Sequence, residues 1–382
     1  MEQELSQFNP WWEGDYTAPG FRRDALEIME NECKARHITI LTGLRRVGKT
    51  YLIYQTIEQL IKTGVPANCI LYVSLEHPVI AGQGILKTVE AMRKLHGHAR
   101  PEKLYLFFDE IMYVPDFQRE LKILHDHENV KIIATGSSAS MLNDSKAFLT
   151  GRNRALDMSP LTFSEYLRFR NYSIRKSEEY MLEKNFEEYM QYGGMPEYVL
   201  TRDPENITSL VKDILMKDIV AKYVVKEQKV IEELFLLLCE RVGKPVTYNK
   251  LANILNVKPD TVKAYIGYME STYLLYVIPR FSKSLNERIS SPKKVYFGDV
   301  GIRNVFTGFR DLGSVYENLV FLKIKEMQPA YYFHNGCELD FAVGDTIIEA
   351  KYGRELNEKQ KAEMRNSKFR EKIIADGYKY FL

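Results

Sequence analysis

The sequence predicts an α/β protein: a parallel sheet core, then a helical segment, a winged helix, and a second α/β domain at the C-terminal end. Three observations predict the core. Apolar runs at 38–42, 69–75, 104–109 and 130–135 alternate with amphipathic helical patterns, and strands separated by helices assemble into parallel sheets. The run Leu104-Tyr105-Leu106-Phe107-Phe108 is unbroken, as expected of a central strand covered on both faces. Between the first strand and the next helix, residues 43–50 read Gly-Leu-Arg-Arg-Val-Gly-Lys-Thr.

That octapeptide is a full match to the phosphate-binding pattern GxxxxGK[ST], and its context is the strand–loop–helix that the pattern requires. Gly43 and Gly48 let the backbone curl so that its N–H groups face a phosphate. The residues between them, Arg45, Arg46 and Val47, complete the cradle with Tyr51 just beyond. A helix starting near Lys49 adds its positive N-terminal end. In a P-loop, Lys49 reaches the β- and γ-phosphates and the Thr50 hydroxyl ligates Mg²⁺. The sequence therefore predicts a nucleoside triphosphate site, with ATP and Mg²⁺ as ligands and ADP as the product form. Ahead of it, Asn9-Pro10-Trp11-Trp12 and Phe21-Arg22-Arg23 read as a docking segment, although residues before a P-loop strand can also pack on an adenine.

The third apolar run ends in Asp109-Glu110, where a strand delivers carboxylates to the ligand edge of a sheet. Asp109 fits the role of holding Mg²⁺, and Glu110 that of polarising the attacking water. The fourth run ends in Thr135-Gly136-Ser137-Ser138. Thr135, Ser137 or Ser138 fits a γ-phosphate sensor, and such a residue fits a helix cap equally well. Arg152, in Gly151-Arg152-Asn153-Arg154, fits a transition-state arginine acting in cis or from a neighbouring copy, and also an ordinary surface arginine.

Residues 1–155 are thus assigned to the nucleotide-binding core and 156–240 to a mainly helical segment, with amphipathic stretches at 178–192 and 208–222. Residues 241–298 have winged-helix character. Thr247 and Asp260 are cap candidates for two helices, Val262, Tyr265, Ile266 and Met269 share one face of the second, and Arg280, Lys283, Arg288, Lys293 and Lys294 crowd the wing. Such modules place a helix in the major groove of double-stranded DNA, and wing lysines neutralise phosphates. They also serve as packing units. In residues 299–382, Glu317, Asp340, Glu349 and Lys351 form a Glu…Asp…Glu-x-Lys layout. There Asp340 and Glu349 are candidate ligands of a second Mg²⁺ and Lys351 an activator of water.

At 382 residues the chain suggests two or three domains, and 45% hydrophobic with 27% charged residues is ordinary globular composition. A net charge of +2 points to no strongly polyanionic partner overall. Four cysteines without a CxxC pair exclude a zinc knuckle and fit reduced thiols. The polar, acidic start is no signal peptide, and no apolar stretch reaches the length of a membrane span. The expectation is a cytoplasmic protein without membrane contact, capable of forming homo-oligomers.

Gly43–Thr50, Phe108-Asp109-Glu110, Thr135-Gly136-Ser137-Ser138, Gly151-Arg152 and Leu161-Thr162-Phe163-Ser164-Glu165-Tyr166 together resemble the prokaryotic AAA-type ATP-binding proteins with a C-terminal DUF4143 domain. Gly193-Gly194-Met195-Pro196-Glu197, Asp299-Val300-Gly301 and the Glu317, Asp340, Glu349-x-Lys351 set extend the resemblance over nearly the whole chain. It implies an AAA-type core, a helical segment, a winged helix and a restriction-endonuclease-like C-terminal domain. The residues themselves lead to the expectation of an ATPase that acts on DNA, with nuclease chemistry at the carboxylates. The competing expectation is a nucleotide-dependent switch whose C-terminal part binds a protein.

Overall fold

A computed structural model describes residues 2–138, 149, 151–172 and 180–382. The first two positions of the helical stretch expected at 178–192 lie outside these. The chain divides into two compact units, Met1–Ser159 and Pro160–Leu382. Among the described residues no helix is long and apolar enough to cross a membrane.

The first unit is built on a five-stranded parallel sheet in the order β2-β3-β4-β1-β5. Its strands are β1 (Ile38–Thr42), β2 (Ile70–Ser74), β3 (Leu104–Asp109), β4 (Val130–Gly136) and β5 (Asn153–Asp157). Strands β1, β3 and β4 are almost wholly buried, which is why their sequences are continuous apolar runs rather than alternating ones. The helices Lys49–Lys62, Ile85–His96 and Phe117–His127 follow β1, β2 and β3. From β1 the chain leaves for the far edge of the sheet, so the ends of β1, β3 and β4 open onto one crevice, where ligands bind in such sheets.

Strand β5 is not among the strands read from the sequence. It pairs parallel to β1, with Ile38 opposite Asn153 and Thr42 opposite Asp157. It is an edge strand with two exposed residues and none fully buried, so it carries no apolar run to betray it.

The opposite edge, β2, is covered by the N-terminal segment. Asn9 pairs with the Tyr72 backbone as a strand would: its Nδ2 donates to the Tyr72 carbonyl at 2.9 Å and its Oδ1 accepts the Tyr72 N–H at 2.7 Å. The indoles of Trp11 and Trp12 both donate to the Ile70 carbonyl, at 3.2 and 2.9 Å. Both tryptophans thus blunt an exposed sheet edge.

In the second unit, the turn after the helix Tyr180–Tyr192 closes on Asp299. This carboxylate accepts from the N–H groups of Gly194 (2.6 Å), Gly301 (2.8 Å) and Ile302 (3.3 Å). Burial pushes it up to about 6, against the three N–H donors that lower it. A Cβ on Gly301 would lie 2.1 Å from the Tyr192 carbonyl oxygen, so this joint tolerates only glycine there. Further on, Tyr248–Leu255 and Pro259–Ser271 form a helix pair, and β6 (Leu275–Ile278) and β7 (Lys294–Phe297) an antiparallel pair. Thr247 caps the first helix by accepting the Lys250 N–H. At the second, Lys258 stands at the cap position without a side-chain cap bond and Asp260 is already the second residue of the helix, which corrects its expected capping role. Val262, Tyr265, Ile266 and Met269 are buried. The C-terminal part runs helix Leu312–Ile324, strands β8 (Ala330–His334), β9 (Cys337–Val343) and β10 (Thr346–Lys351), helix Glu358–Asn366, and strand β11 (Glu371–Asp376). Its sheet has the order β11-β10-β9-β8, parallel only between β10 and β11.

Candidate nucleotide site and C-terminal carboxylate pocket

The loop 43–50 leaves the end of β1 and enters the helix Lys49–Lys62 through Gly48 at φ 101°. Gly43 sits at φ 142°, and a Cβ there would lie 2.3 Å from the Met158 carbonyl oxygen. Both conformations need glycine. Gly43→Ala is therefore expected to destabilise the protein by about 3 kcal/mol or more. A melting temperature equal to wild type would remove the steric argument.

The residue at the cap position is Gly48, which has no side chain to occupy the first N–H groups of the helix, and such N–H groups bind anions. Lys49 is buried, and its Nζ donates to the loop carbonyls of Gly43 (2.9 Å) and Leu44 (3.1 Å). Burial pulls this ammonium below the usual lysine range, opposed by Glu110 and Asp109. Arg45 lies within electrostatic reach of Lys49 and Glu110. Arg46 takes a left-handed φ of 64°, and Val47 offers its carbonyl to the Arg23 guanidinium at 2.8 Å. The Tyr51 side chain is half exposed and lies against Gly20.

Asp109, at the tip of β3, gathers three hydroxyls. Thr50 Oγ1 donates to it at 2.7 Å, Tyr72 OH at 3.0 Å, and Thr135 Oγ1 through a short contact. Thr135 in turn accepts the Glu110 N–H at 3.0 Å. Glu110 itself adopts φ 51°, ψ 53°, a left-handed conformation that costs a non-glycine residue of order 1 kcal/mol or more. Burial raises its carboxyl above the ordinary range, Lys49 lowers it and Asp109 raises it again. The Ser137 hydroxyl lies 3.5 Å from the Glu110 carboxylate. Lys49, Thr50, Asp109, Glu110, Thr135 and Ser137 are thus brought together at the sheet edge.

Arg152 is not. Its carbonyl accepts the Ile38 N–H at 2.7 Å, at the start of β1, four residues or ~13 Å of strand from the loop. Its guanidinium pairs with Asp126 at 2.8 Å. Within its own chain Arg152 faces the wrong end of the sheet, which corrects the cis part of the expectation. Two site residues were missed by sequence reading, Tyr72 and Glu76, the latter adding its charge to the field at Glu110. Neither sits in a motif, although Tyr72 lies on an apolar strand where a hydroxyl needs a partner.

A second polar cluster lies in the C-terminal part. The carboxylate of Asp340 accepts the Ala350 N–H at 2.9 Å, and Glu349 Oε2 accepts the Asp340 N–H at 3.0 Å. Glu349 Oε1 takes Gln360 Nε2 (2.6 Å) and Lys351 Nζ (2.8 Å). Burial raises the carboxyls of both Glu317 and Glu349, and the charge of Asp340 raises them further. Glu317, Asp340, Glu349 and Lys351 therefore share one pocket. Asp340 and Glu349, the expected metal ligands, stand side by side in it. Among the described residues no group of three or more His, Cys, Asp or Glu side chains is arranged to hold a metal ion. Lys294 Nζ lies instead 3.0 Å from Glu317, 2.8 Å from Glu338 and 3.5 Å from Asp340. Its assignment to a phosphate-binding wing is also corrected. Lys294 is completely buried, as are the other three residues of β7, and its ammonium faces the three carboxylates instead of solvent.

Residues 35–167 match the family model of an AAA domain, AAA_14. Fold and match together define this region as an AAA-type P-loop domain. Residues 183–313 match a domain of unknown function, DUF8612, where the sequence resemblance pointed to DUF4143. The chain is similar to an uncharacterized protein of Haemophilus influenzae, 28% identical over 301 residues covering 75% of this chain and 74% of the relative. It is also similar to one of Methanocaldococcus jannaschii, 28% identical over 363 residues covering 89% and 79%. Among solved structures, AMPPCP-bound DnaA from Aquifex aeolicus superposes with a TM-score of 0.30 at 17% identity, covering 67% of this chain and 89% of that one. Hsp104 of Saccharomyces cerevisiae in complex with casein gives 0.37 at 13%, covering 75% and 61%. These scores carry no functional argument.

Proposed function

We propose that the protein is a Mg²⁺-dependent ATPase of AAA type that couples hydrolysis to a conformational change in a DNA-associated process. The observation that carries the ATPase reading is the convergence of Lys49, Thr50, Asp109 and Glu110 at one sheet edge. The residues fit the ligands on their own geometry. A buried ammonium lies inside an uncapped glycine turn, and a hydroxyl and a carboxylate sit 2.7 Å apart where a cation would be shared. Thr50 and Asp109 would hold Mg²⁺, which supplies charge neutralisation on the phosphates. Lys49 binds the terminal phosphates, exchanging its two loop carbonyls for phosphate oxygens. Glu110 orients a water and draws its proton. Its left-handed backbone and its anchoring to Thr135 hold the carboxylate ready for that task. Ser137 contacts that carboxylate and links it to the end of β4. Inorganic phosphate release from ATP by the purified chain tests the reading.

The DNA part is supported by exposed cations on the helix pair and its hairpin. Lys258, Lys263, Lys283 and Arg288 all lie at the surface. Short duplex DNA is expected to be shifted on a gel at low salt. Raising the salt from 50 to 200 mM should weaken binding by about tenfold or more, since each neutralised phosphate releases counterions, and Lys263→Glu with Arg288→Glu should abolish the shift. If no shift occurs at low salt, the DNA part falls. The protein is then the alternative, a nucleotide-dependent switch whose C-terminal part binds a protein. Phosphodiester cleavage is left out of the reading, because the carboxylate pocket is already filled by Lys294.

A further inference from the structure

The carboxylates of the C-terminal pocket are the kind that hold divalent ions in metal-dependent hydrolases, yet their geometry is that of acceptors around an ammonium. We infer that Lys294 is a tethered cation occupying the place of a divalent metal, so that this pocket binds no metal in the native chain and becomes a metal site when Lys294 is removed. Three observations carry this.

The first is stoichiometric. The three N–H bonds of an ammonium meet three carboxylates, Glu317, Glu338 and Asp340, at 3.0, 2.8 and 3.5 Å. Metal ligation would demand oxygens at about 2.0–2.6 Å. The second is that neighbouring groups fix the carboxylates in place around the ammonium. Asp340 Oδ2 is held by the Ala350 N–H, and Glu349 by the Asp340 N–H, Gln360 and Lys351. Glu317 Oε1, which faces Lys294, also accepts Tyr296 OH at 2.6 Å. The third is enclosure. Lys294 is wholly buried, and a Cβ on Gly243 would lie 2.7 Å from Glu317 Oε2, so backbone seals the pocket on that side. Lys294 comes from β7, outside the strands β9 and β10 that carry Asp340 and Glu349. The cation therefore also ties the hairpin to the C-terminal sheet. A mobile metal could fill the charge but could not supply that tether.

The test uses the full chain without nucleotide, stripped with EDTA and titrated with Mn²⁺ while free Mn²⁺ is followed by electron paramagnetic resonance. Any weak binding near Thr50 and Asp109 is then common to every variant. Wild type and Asp340→Asn are expected to bind the same amount of Mn²⁺, and the wild-type melting temperature to be unmoved by the metal. Lys294→Met leaves the carboxylates facing one another without a cation, and they repel. It should melt several degrees lower in EDTA, gain one equivalent of bound Mn²⁺, and recover much of its melting temperature with it. The double variant Lys294→Met, Asp340→Asn should lose the gain, and Lys294→Arg should behave as wild type. Two results overturn the inference: Mn²⁺ bound by wild type and lost in Asp340→Asn, or a folded Lys294→Met that gains none. If Lys294→Met does not fold even with Mn²⁺, the comparison of wild type with Asp340→Asn decides alone.

Discussion

Lys49→Ala is expected to reduce ATP turnover on the order of 10³-fold or more, to the background of the assay. The Lys49 ammonium lies inside the loop, buried and held by the carbonyls of Gly43 and Leu44. A preorganised donor in a water-poor site contributes about 10²–10³ in rate when it meets charge developing in the transition state, and this one also contributes to ground-state phosphate binding. The variant also leaves two carbonyls without their donor, so some stability goes with the activity, about 1–3 kcal/mol for each carbonyl that water does not reach. Thermal melting beside the turnover assay separates the two effects: the loss of rate must persist well below the variant's melting temperature. Turnover close to wild type in the folded variant would sink the assignment of this loop.

Glu110→Gln is expected to keep ATP bound while turnover falls on the order of 10²-fold or more, because only the proton-accepting carboxylate is removed. Glutamine preserves size, and the backbone contact of residue 110 with Thr135 does not involve the side chain. Binding of a fluorescent ATP analogue and phosphate release, measured on the same preparation, check both halves. The wild-type pH profile supplies a further check. Burial holds the Glu110 carboxyl above the ordinary glutamate range, more than Lys49 can offset. As a base, Glu110 works only when ionised, so activity is lost as pH falls through that raised value, earlier than for an exposed glutamate. The acid limb should vanish in Glu110→Gln. A variant that loses ATP binding together with turnover would show that Glu110 supports the fold of the site rather than the water.

By itself the sequence determined what is local. The strand, glycine turn and helix around Gly43–Thr50 are contiguous, and each part is dictated by its own residues: apolar run, φ-permissive glycines, amphipathic helix. The same holds for Asp109-Glu110, since a strand that ends in carboxylates carries them to the sheet edge. It also holds for the buried face Val262, Tyr265, Ile266 and Met269, which follows from helical spacing. Tertiary structure decided what depends on pairing between distant segments. Strand β5 exists because β1 offers a free edge, not because Asn153–Asp157 are apolar, and that pairing carries Arg152 to the end of the sheet away from the loop. Tyr72 becomes a partner of Asp109 only through the register of β2 beside β3. Lys293 and Lys294 are indistinguishable as a basic pair. The first bonds to the carbonyls of Arg288 and Ile289 in the short helix before it, and the second is held among Glu317, Glu338 and Asp340. Lys293 lies just before β7 and Lys294 is its first residue; only carboxylates from distant segments, the helix Leu312–Ile324 and β9, determine that the second is buried, because an ammonium leaves water only where opposite charges replace its hydration.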